Sequence, residues 1–177
     1  DLTTRGSSAF TAVGHHILLV GETHGHLGSS LYLREILGRE EGAPPPVDLT
    51  IERRNGEAVR DLVRDQLVTA CHDLSDGGLL VALAEMCFPR LIGAQIALPD
   101  HIPAHAFAFG EDQSRYLLAV SPEQKDLVLF RLNGLDVPVY ELGETIADDL
   151  VVENITRIPV THLRDMNATW LPGYMAN

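Results

Sequence analysis

Apolar and polar positions alternate along the chain with two different periods, which predict both strands and helices. Residues 16–21 (HILLVG) form an apolar run ending in glycine, which is typical of a buried strand. Residues 49–66 repeat apolar side chains at helical spacing, and Asp48 precedes them as a helix cap. The apolar stripe of this helix consists of Ile51, Val59, Leu62 and Val63.

The remaining residues continue this mixture of short apolar runs and amphipathic stretches. Apolar runs predict strands at 67–71, 93–98, 104–109, 116–120, 137–142 and 150–152. Helical spacing predicts a helix at 31–40 with Leu31, Ile36 and Leu37 inward, and a helix at 122–133. A helix after residue 76 buries Leu79, Leu80, Leu83, Met86 and Cys87, and Thr161 caps a last helix that runs to residue 170. No repeat or linker interrupts the pattern, so we expect residues 1–177 to form one domain.

Length and composition fit a packed protein with one hydrophobic core. The chain has 177 residues, of which 45% are hydrophobic, and a mean hydropathy of +0.05. No apolar run reaches the roughly 18 residues of a membrane span, and the N-terminus carries no signal-peptide pattern. Asp1 stands where an initiator Met is expected, which suggests a piece of a longer chain. Cys71 and Cys87 read as reduced thiols of a cytoplasmic protein.

The net charge narrows the classes of ligand that the chain can bind. Thirteen basic and 25 acidic residues give a charge of -12, which repels nucleic acid and anionic lipid. A phosphorylated ligand therefore needs backbone amides, a metal ion, or basic residues from another domain.

The stretch HDLSDGG, residues 72–78, is the strongest candidate for a binding site. It follows a predicted strand and opens a helix, whose first N–H groups and positive dipole end suit phosphate. Gly77 and Gly78 let a ligand approach the backbone, Ser75 can cap the helix or bind a phosphate, and Asp73 can hold Mg²⁺. The alternative is structural: Ser75 and Asp76 cap a core helix, and Asp73 is solvated.

Two other polar stretches are weaker candidates. GETHGHLGSS, residues 21–30, lies between a strand and a helix but lacks the Lys of a phosphate loop. Its His24 and His26 can bind zinc in principle, although surface or core histidines are the favoured interpretation. In FGEDQSR, residues 109–115, Arg115 either clamps a carboxylate or phosphate or belongs to an exposed polar connection.

These stretches together resemble a known family. HDLSDGGLLVALAEM, GETHGHLGSSLYLRE, GAPPPVDL, FGEDQSRY and the final WLPGYM are similar, in order and spacing, to the synthetase subunits of phosphoribosylformylglycinamidine synthase. The likeness covers nearly the whole chain. It matches the C-terminal, AIR synthase-related domain of those subunits, which are several times longer.

The resemblance implies a fold, a reaction and a set of partners. The fold is α+β, an α/β-type three-layer arrangement with a mixed β-sheet and packed helices. The reaction is an ATP-dependent ligation in purine biosynthesis, in which ammonia from a glutaminase converts formylglycinamide ribonucleotide to the amidine. The implied partners are the N-terminal domains of the same chain, the glutaminase subunit and a small accessory subunit.

Few functional residues carry over from the family. The catalytic histidine and most metal ligands lie in domains that this sequence does not contain, so no catalytic residue is assigned. The resemblance implies Asp73 as a ligand of Mg²⁺ and Ser75 as part of an auxiliary ATP/ADP site. Gly77 and Gly78 are assigned to the same nucleotide site because they let a ligand approach the backbone. The isolated domain is expected to be inactive and to associate as a homodimer.

Two other readings remain open. One is a related kinase of thiamine phosphate or selenophosphate, which shares the D-x-S-x-G turn but not the other motifs. The other is a stand-alone nucleotide-binding or scaffold module of the AIR synthase-related superfamily. The length of the full reading frame separates these possibilities.

Overall fold

A computed structural model describes residues 6–176, and within that range seven strands form one sheet. The strands are β1 (His16–Val20), β2 (Ala70–Asp73), β3 (Ile92–Ile96), β4 (Tyr116–Val120), β5 (Val139–Ala147), β6 (Asp149–Val152) and β7 (Thr156–Pro159). The helices are α1 (Leu49–Arg64), α2 (Gly78–Cys87), α3 (Ala104–Phe109), α4 (Lys125–Asn133) and α5 (Val160–Met175). A single π-helical segment lies at Tyr32–Ile36.

The sheet is mixed, and β1 lies near its centre. The strand order is β2-β4-β1-β5-β3-β6-β7, in which β3 and β6 run parallel and the other neighbours pair antiparallel. Successive side chains of a strand point to opposite faces. Ile17 and Leu19 of β1 accordingly join one core, while Leu18 and Val20 join the other.

Helices cover both faces of the sheet. On the face of Ile17 and Leu19, the core includes residues of α2 and α3 and the first residue of α5. On the face of Leu18 and Val20, the core is completed by α1 and α4. The continuous apolar runs of β1 and β4 reflect this burial on both sides. The expected three-layer arrangement with a mixed sheet is confirmed.

Several elements agree with the sequence prediction. Strand β1 and strand β4 lie where the apolar runs place them. Helix α1 begins after Asp48, whose carboxylate accepts hydrogen bonds from the N–H groups of Thr50 (2.8 Å) and Ile51 (3.2 Å). Its buried stripe includes Val59 and Leu62, whereas Val63 is half-buried and Ile51 is exposed.

The strand predicted at 104–109 is wrong, because these residues form helix α3. Pro103 stands before the helix, and its carbonyl accepts hydrogen bonds from Ala106 (2.9 Å) and Phe107 (3.0 Å). The helix buries Phe107, which contacts the ring of Tyr140 edge-on at 5.8 Å. Six apolar residues do not distinguish a short buried helix from a strand by their pattern alone.

The helix predicted at 31–40 is also wrong in length and in orientation. Only Tyr32–Ile36 are helical, and Ile36 and Leu37 are exposed instead of buried, while Leu31 is half-buried. The segment contacts the domain through Tyr32, whose ring stacks on Phe109 at 5.3 Å and on His105 at 5.8 Å. One aromatic contact therefore replaces the expected aliphatic stripe.

Smaller differences concern the starts of elements. The strand predicted at 67–71 is β2 at Ala70–Asp73, since the N–H of Leu67 still bonds to the carbonyl of Leu62 at the end of α1. Helix α5 begins at Val160 after Pro159, so Thr161 lies inside the helix and does not cap it. The preceding strand β7 has no apolar run and was not predicted.

Candidate functional site

Three of the sequence motifs meet at one end of the sheet. Tyr116, the first residue of β4, pairs with Val20 at the end of β1 and with Asp73 at the end of β2. The segments that leave β1 and β2 and the segment that enters β4 are therefore neighbours. We call this region, residues 21–31, 73–78 and 110–116, the motif end.

Glu111 joins the three segments of the motif end. One carboxylate oxygen, Oε1, accepts hydrogen bonds from the N–H of Leu31 and the N–H of Gly77, each at 2.8 Å. The N–H of Glu111 donates to the carbonyl of His26 at 2.9 Å. The carboxylate of Glu111 is therefore already bound to the N–H group in front of α2. An anion is favoured there because it lies at the positive end of the helix dipole.

Asp112 and Arg115 form a buried polar network beneath this contact. The guanidinium of Arg115 donates to the carbonyls of Gly110 (2.5 Å) and Asp112 (3.1 Å) and to the hydroxyl of Thr23 (3.1 Å). Its Nη1 lies 4.0 Å from a carboxylate oxygen of Asp112, which accepts from the N–H of Gly25 at 2.9 Å. Burial lowers the pKa of Arg115, and the nearby carboxylates of Asp112 and Glu111 oppose that shift.

Neither sequence interpretation of Arg115 matches this arrangement. The side chain is buried, so it is not part of an exposed connection. Its hydrogen bonds go to Thr23, Gly110 and Asp112, so it holds the two loops of the motif end together.

The turn before α2 differs from the expected cap. Helix α2 begins at Gly78, and its N-cap is Gly77 at φ 79° with no side-chain cap hydrogen bond. The N–H of Gly78 donates to the backbone carbonyl of Ser75 at 3.1 Å. The prediction that Ser75 and Asp76 cap the helix is wrong, because Gly77 holds the N-cap position and no side chain caps α2.

The two glycines are needed for packing inside the chain. Both have positive φ, which side chains disfavour. A Cβ on Gly78 would lie 2.4 Å from the carbonyl oxygen of Gly110, and one on Gly77 would lie 2.5 Å from a methyl of Val81. The absent side chain of Gly78 thus lets α2 pack closely against the end of α3, and that of Gly77 leaves room for Val81 in the first turn of α2.

Asp73, Ser75 and Asp76 remain exposed at the surface of the turn. The side chain of Asp73 is 74% exposed, with one oxygen 3.9 Å from Nδ1 of His72. Leu74, between these polar residues, is buried and its N–H donates to the carbonyl of Arg115 at 3.0 Å. The turn therefore presents two carboxylates and one hydroxyl outward, while the buried Leu74 fixes it to the core.

The histidines of the first loop lie in separate environments. Nε2 of His24 is 3.4 Å from a carboxylate oxygen of Glu22, and Nε2 of His26 lies 2.8 Å from the carbonyl of Ala43. Across residues 6–176, no group of three or more His, Cys, Asp or Glu side chains is arranged to hold a metal ion.

A cleft of about 570 Å³ opens beside the motif end, and sequence reasoning missed its polar wall. Asn55 of α1 is fully buried there and donates to the carbonyl of Ser114 at 3.0 Å. The Ser114 hydroxyl donates to Glu52 at 2.5 Å, and the Tyr116 hydroxyl donates to the other oxygen of Glu52 at 3.3 Å. Burial, followed by the charge of Glu52, raises the pKa of Tyr116 to about 12. The sequence signal that could have identified this wall is Asn55, a polar residue on the apolar stripe of α1.

The two cysteines are unpaired, as predicted. Burial raises the pKa of Cys71 to about 11 and that of Cys87 to about 12. Both thiols therefore stay protonated near neutral pH.

Among residues 6–176, no helix combines the length and apolar character needed to cross a bilayer.

Comparison with known proteins relates most of the chain to one family. Residues 12–154 match the family described as AIR synthase related protein, C-terminal domain. The chain is 51% identical over 176 residues to the phosphoribosylformylglycinamidine synthase subunit PurL of Bradyrhizobium sp. strain BTAi1, covering 99% of this chain and 24% of that protein. The PurL subunit of Rhodopseudomonas palustris strain HaA2 is also 51% identical over 177 residues, with 99% and 24% covered. The chain spans about a quarter of the length of these relatives.

Solved structures share the fold of this chain. Thermotoga maritima PurL complexed with FGAR matches with a TM-score of 0.77 at 20% identity, covering 92% of this chain and 30% of that one. The same protein complexed with ATP matches with a TM-score of 0.71 at 19% identity, covering 92% and 27%. A thiamine-monophosphate kinase of Stenotrophomonas maltophilia matches with 0.58 at 18% identity, covering 85% and 53%. At these identities the likeness concerns the fold.

Proposed function

We propose that this chain, which belongs to the AIR synthase related protein, C-terminal domain family, is a single domain (residues 1–177) of a longer phosphoribosylformylglycinamidine synthase subunit. The observation that carries the proposal is the identity of about half of the residues to PurL subunits over 99% of the chain. Those subunits are about four times as long, which supports a domain of a longer polypeptide.

The proposed activity of the whole subunit is an ATP-dependent carbon–nitrogen ligation. It converts formylglycinamide ribonucleotide to formylglycinamidine ribonucleotide with ammonia derived from glutamine. Arg115 and Asp112, buried at the motif end, and Asn55, buried beside it, are held by internal hydrogen bonds. We therefore assign no catalytic residue to the domain and expect it to be inactive alone.

Within the whole subunit, we propose that the turn before α2 contributes to an ATP or ADP site with Mg²⁺. The exposed carboxylate of Asp73 would be a ligand of the metal, and the exposed hydroxyl of Ser75 would contact the nucleotide. Gly77 and Gly78 would act through the shape of the turn, because their amides donate to Glu111 and to Ser75. Mg²⁺ commonly takes one or two protein carboxylates together with phosphate oxygens and water, so a single carboxylate fits this role. The metal would neutralise phosphate charge next to an acidic protein.

The charge of the domain supports this division of roles. A net charge of -12 opposes polyphosphate binding by the domain alone, so positive charge would come from the remaining domains of the subunit. The proposed partners are those domains, the glutaminase subunit and the small accessory subunit, in the cytoplasm, with no role for nucleic acid or membrane. A structure of Thermotoga maritima PurLQS indicates such a multi-subunit assembly for that relative.

The proposal can be tested by reconstitution. The chain, the remaining part of the long subunit, and a mixture of the two would be assayed with ATP, formylglycinamide ribonucleotide and ammonium. We expect release of ADP and phosphate that depends on the ribonucleotide only from the mixture. Sustained turnover by the chain alone would contradict the proposal that the domain is inactive by itself. A reading frame that ends with a short protein would contradict the proposal in favour of a stand-alone module.

A further inference from the structure

Helix α5 carries an exposed apolar stripe on the α2 side of the sheet. Among its 16 residues, only Val160 is buried, and the core extends along the helix no further than the partly buried Leu163. Leu163, Met166, Trp170 and Tyr174 recur at helical spacing and form one stripe, which we call the α5 stripe. Trp170 is 66% exposed, and its ring stacks on Tyr174 at 5.4 Å.

An exposed stripe of this kind is typical of an interface. Large aromatic and Met side chains are enriched where proteins bind one another, and contiguous apolar patches are uncommon on a free surface. An isolated helix of this length is marginal in water, and α5 also contains Pro172. Packing against a further surface would stabilise the second half of the helix.

The comparisons indicate which surface that is. The family match ends at residue 154, before α5 begins, so the helix lies outside the domain that defines the family. The identity to PurL subunits nevertheless covers 99% of the chain and therefore includes most of α5. The helix is shared with long subunits of which this chain spans only 24%.

We infer that the α5 stripe docks on the remaining part of the same long subunit. The inference rests on the proposed function, since it requires that this chain belongs to such a subunit. Trp170 and Tyr174 are the central contacts, because paired aromatic rings bury the largest apolar area of the stripe.

The single Trp of the chain makes the contact measurable. Emission of Trp170 would be recorded while the 177-residue chain is titrated with the remaining part of the subunit, after any Trp in that part is replaced by Phe. Complex formation would be followed independently by sedimentation. We expect a blue shift, protection from acrylamide quenching, and a saturable complex.

Two variants make the test specific to the α5 stripe. Met166→Ser with Tyr174→Ser should weaken the complex at least about tenfold, because both contacts lie on the stripe. Phe130→Ser is the matched control: Phe130 is 75% exposed on α4, which packs on the opposite face of the sheet, and the change should leave affinity unaltered. Circular dichroism would confirm that both variants fold.

Each outcome decides between the inference and the function on which it rests. A complex that regains activity but leaves Trp170 exposed and tolerates the stripe variant would overturn the docking surface alone. Failure of the wild-type chain to bind or to restore activity would overturn both. A blue shift that depends on the concentration of the chain by itself, and that the remaining part of the subunit does not displace, would identify a second copy as the occupant and overturn the inference.

Discussion

The loop 110–115 and the turn 73–76 lie side by side at the motif end, yet they use their charges in opposite ways. In the loop, Arg115 and Asp112 are buried and bonded to groups of the same chain. In the turn, Asp73 and Asp76 are exposed. Both segments are polar in sequence and belong to motifs shared with the same family. The two segments differ because different groups surround their charges in the folded chain.

The difference follows from the cost of burying charge. A buried guanidinium or carboxylate must recover its lost hydration through hydrogen bonds and opposite charge, which requires several partners in fixed positions. Such a residue is then committed to the structure. An exposed carboxylate keeps its hydration and remains available to a cation or a partner. The comparison predicts that mutations in the loop affect stability, whereas mutations in the turn affect binding.

The largest expected effect is that of Arg115→Met. Removing the guanidinium leaves the carbonyls of Gly110 and Asp112 and the hydroxyl of Thr23 without this donor, and it removes the cation 4.0 Å from the buried carboxylate of Asp112. We expect a loss of about 3–5 kcal/mol in the free energy of unfolding, measured by urea denaturation. Arg157→Met is the control, because the side chain of Arg157 is exposed and its ion pair with the half-buried Asp149 should contribute less than about 1 kcal/mol. If Arg115→Met and Arg157→Met lowered the free energy of unfolding equally, the distinction between buried and exposed charges would be contradicted.

The next effect is that of Glu111→Ala, which separates the loop from the turn. The N–H groups of Leu31 and Gly77 lose their common acceptor, and we expect a cost of about 2 kcal/mol. Glu111→Gln keeps an acceptor oxygen and should recover about half of the loss. Amide hydrogen exchange at residues 31 and 77 should accelerate in the Ala variant. Unchanged exchange at both amides would show that Glu111 does not join the segments.

A smaller effect is expected at alkaline pH, from groups beneath the turn. The pKa values of Cys71 and Tyr116 are raised by burial, to about 11 and about 12 in the folded chain, from ordinary values of 9.0 and 10.0. The folded state therefore holds these protons more tightly than the unfolded state. The stability they contribute is fully present below pH 9 and is lost as pH rises through about 11 and 12.

Spectroscopy and one variant can check this pH dependence. One of the four tyrosines should ionise later than the others in an absorbance titration at 295 nm. Cys71→Ala should flatten the fall in stability between pH 9 and 11. A protein whose stability is constant across that range would contradict the assignment.

The smallest effect on stability is expected in the turn. Asp73→Asn and Ser75→Ala should each change the free energy of unfolding by less than about 0.5 kcal/mol, because Asp73 and Ser75 are exposed and Ser75 does not cap α2. In the long subunit, Asp73→Asn should weaken binding of Mg-ADP in calorimetry, whereas the neighbouring Asp76→Asn should not. Equal binding by all variants would leave the turn with a structural role only.

The sequence predicted the regular elements better than the irregular ones. The helical spacing of apolar residues identified α1, and Asp48 identified its start. Both signals are local: an amphipathic stripe within one segment and a side-chain acceptor next to the first turn. Residues 104–109 were misjudged, since a short apolar run buried in the domain shows no period. At 31–40 the spacing of aliphatic residues led to a wrong choice of the buried side chains. The residue that packs there is Tyr32, and its stacking on α3 depends on a segment about 70 residues away, which no local pattern shows.

The sequence by itself determined the family, the three-layer class and the residue types gathered at the motif end, because these depend on local pattern and on motif order. Only the tertiary structure decided which of those residues are committed to the fold. Glu111 and Gly77 are separated by 34 positions, and Arg115 and Thr23 by 92, so no local rule connects them. Whether a charge is buried with partners or left exposed depends on the strand order, which brings the ends of β1 and β2 to the start of β4.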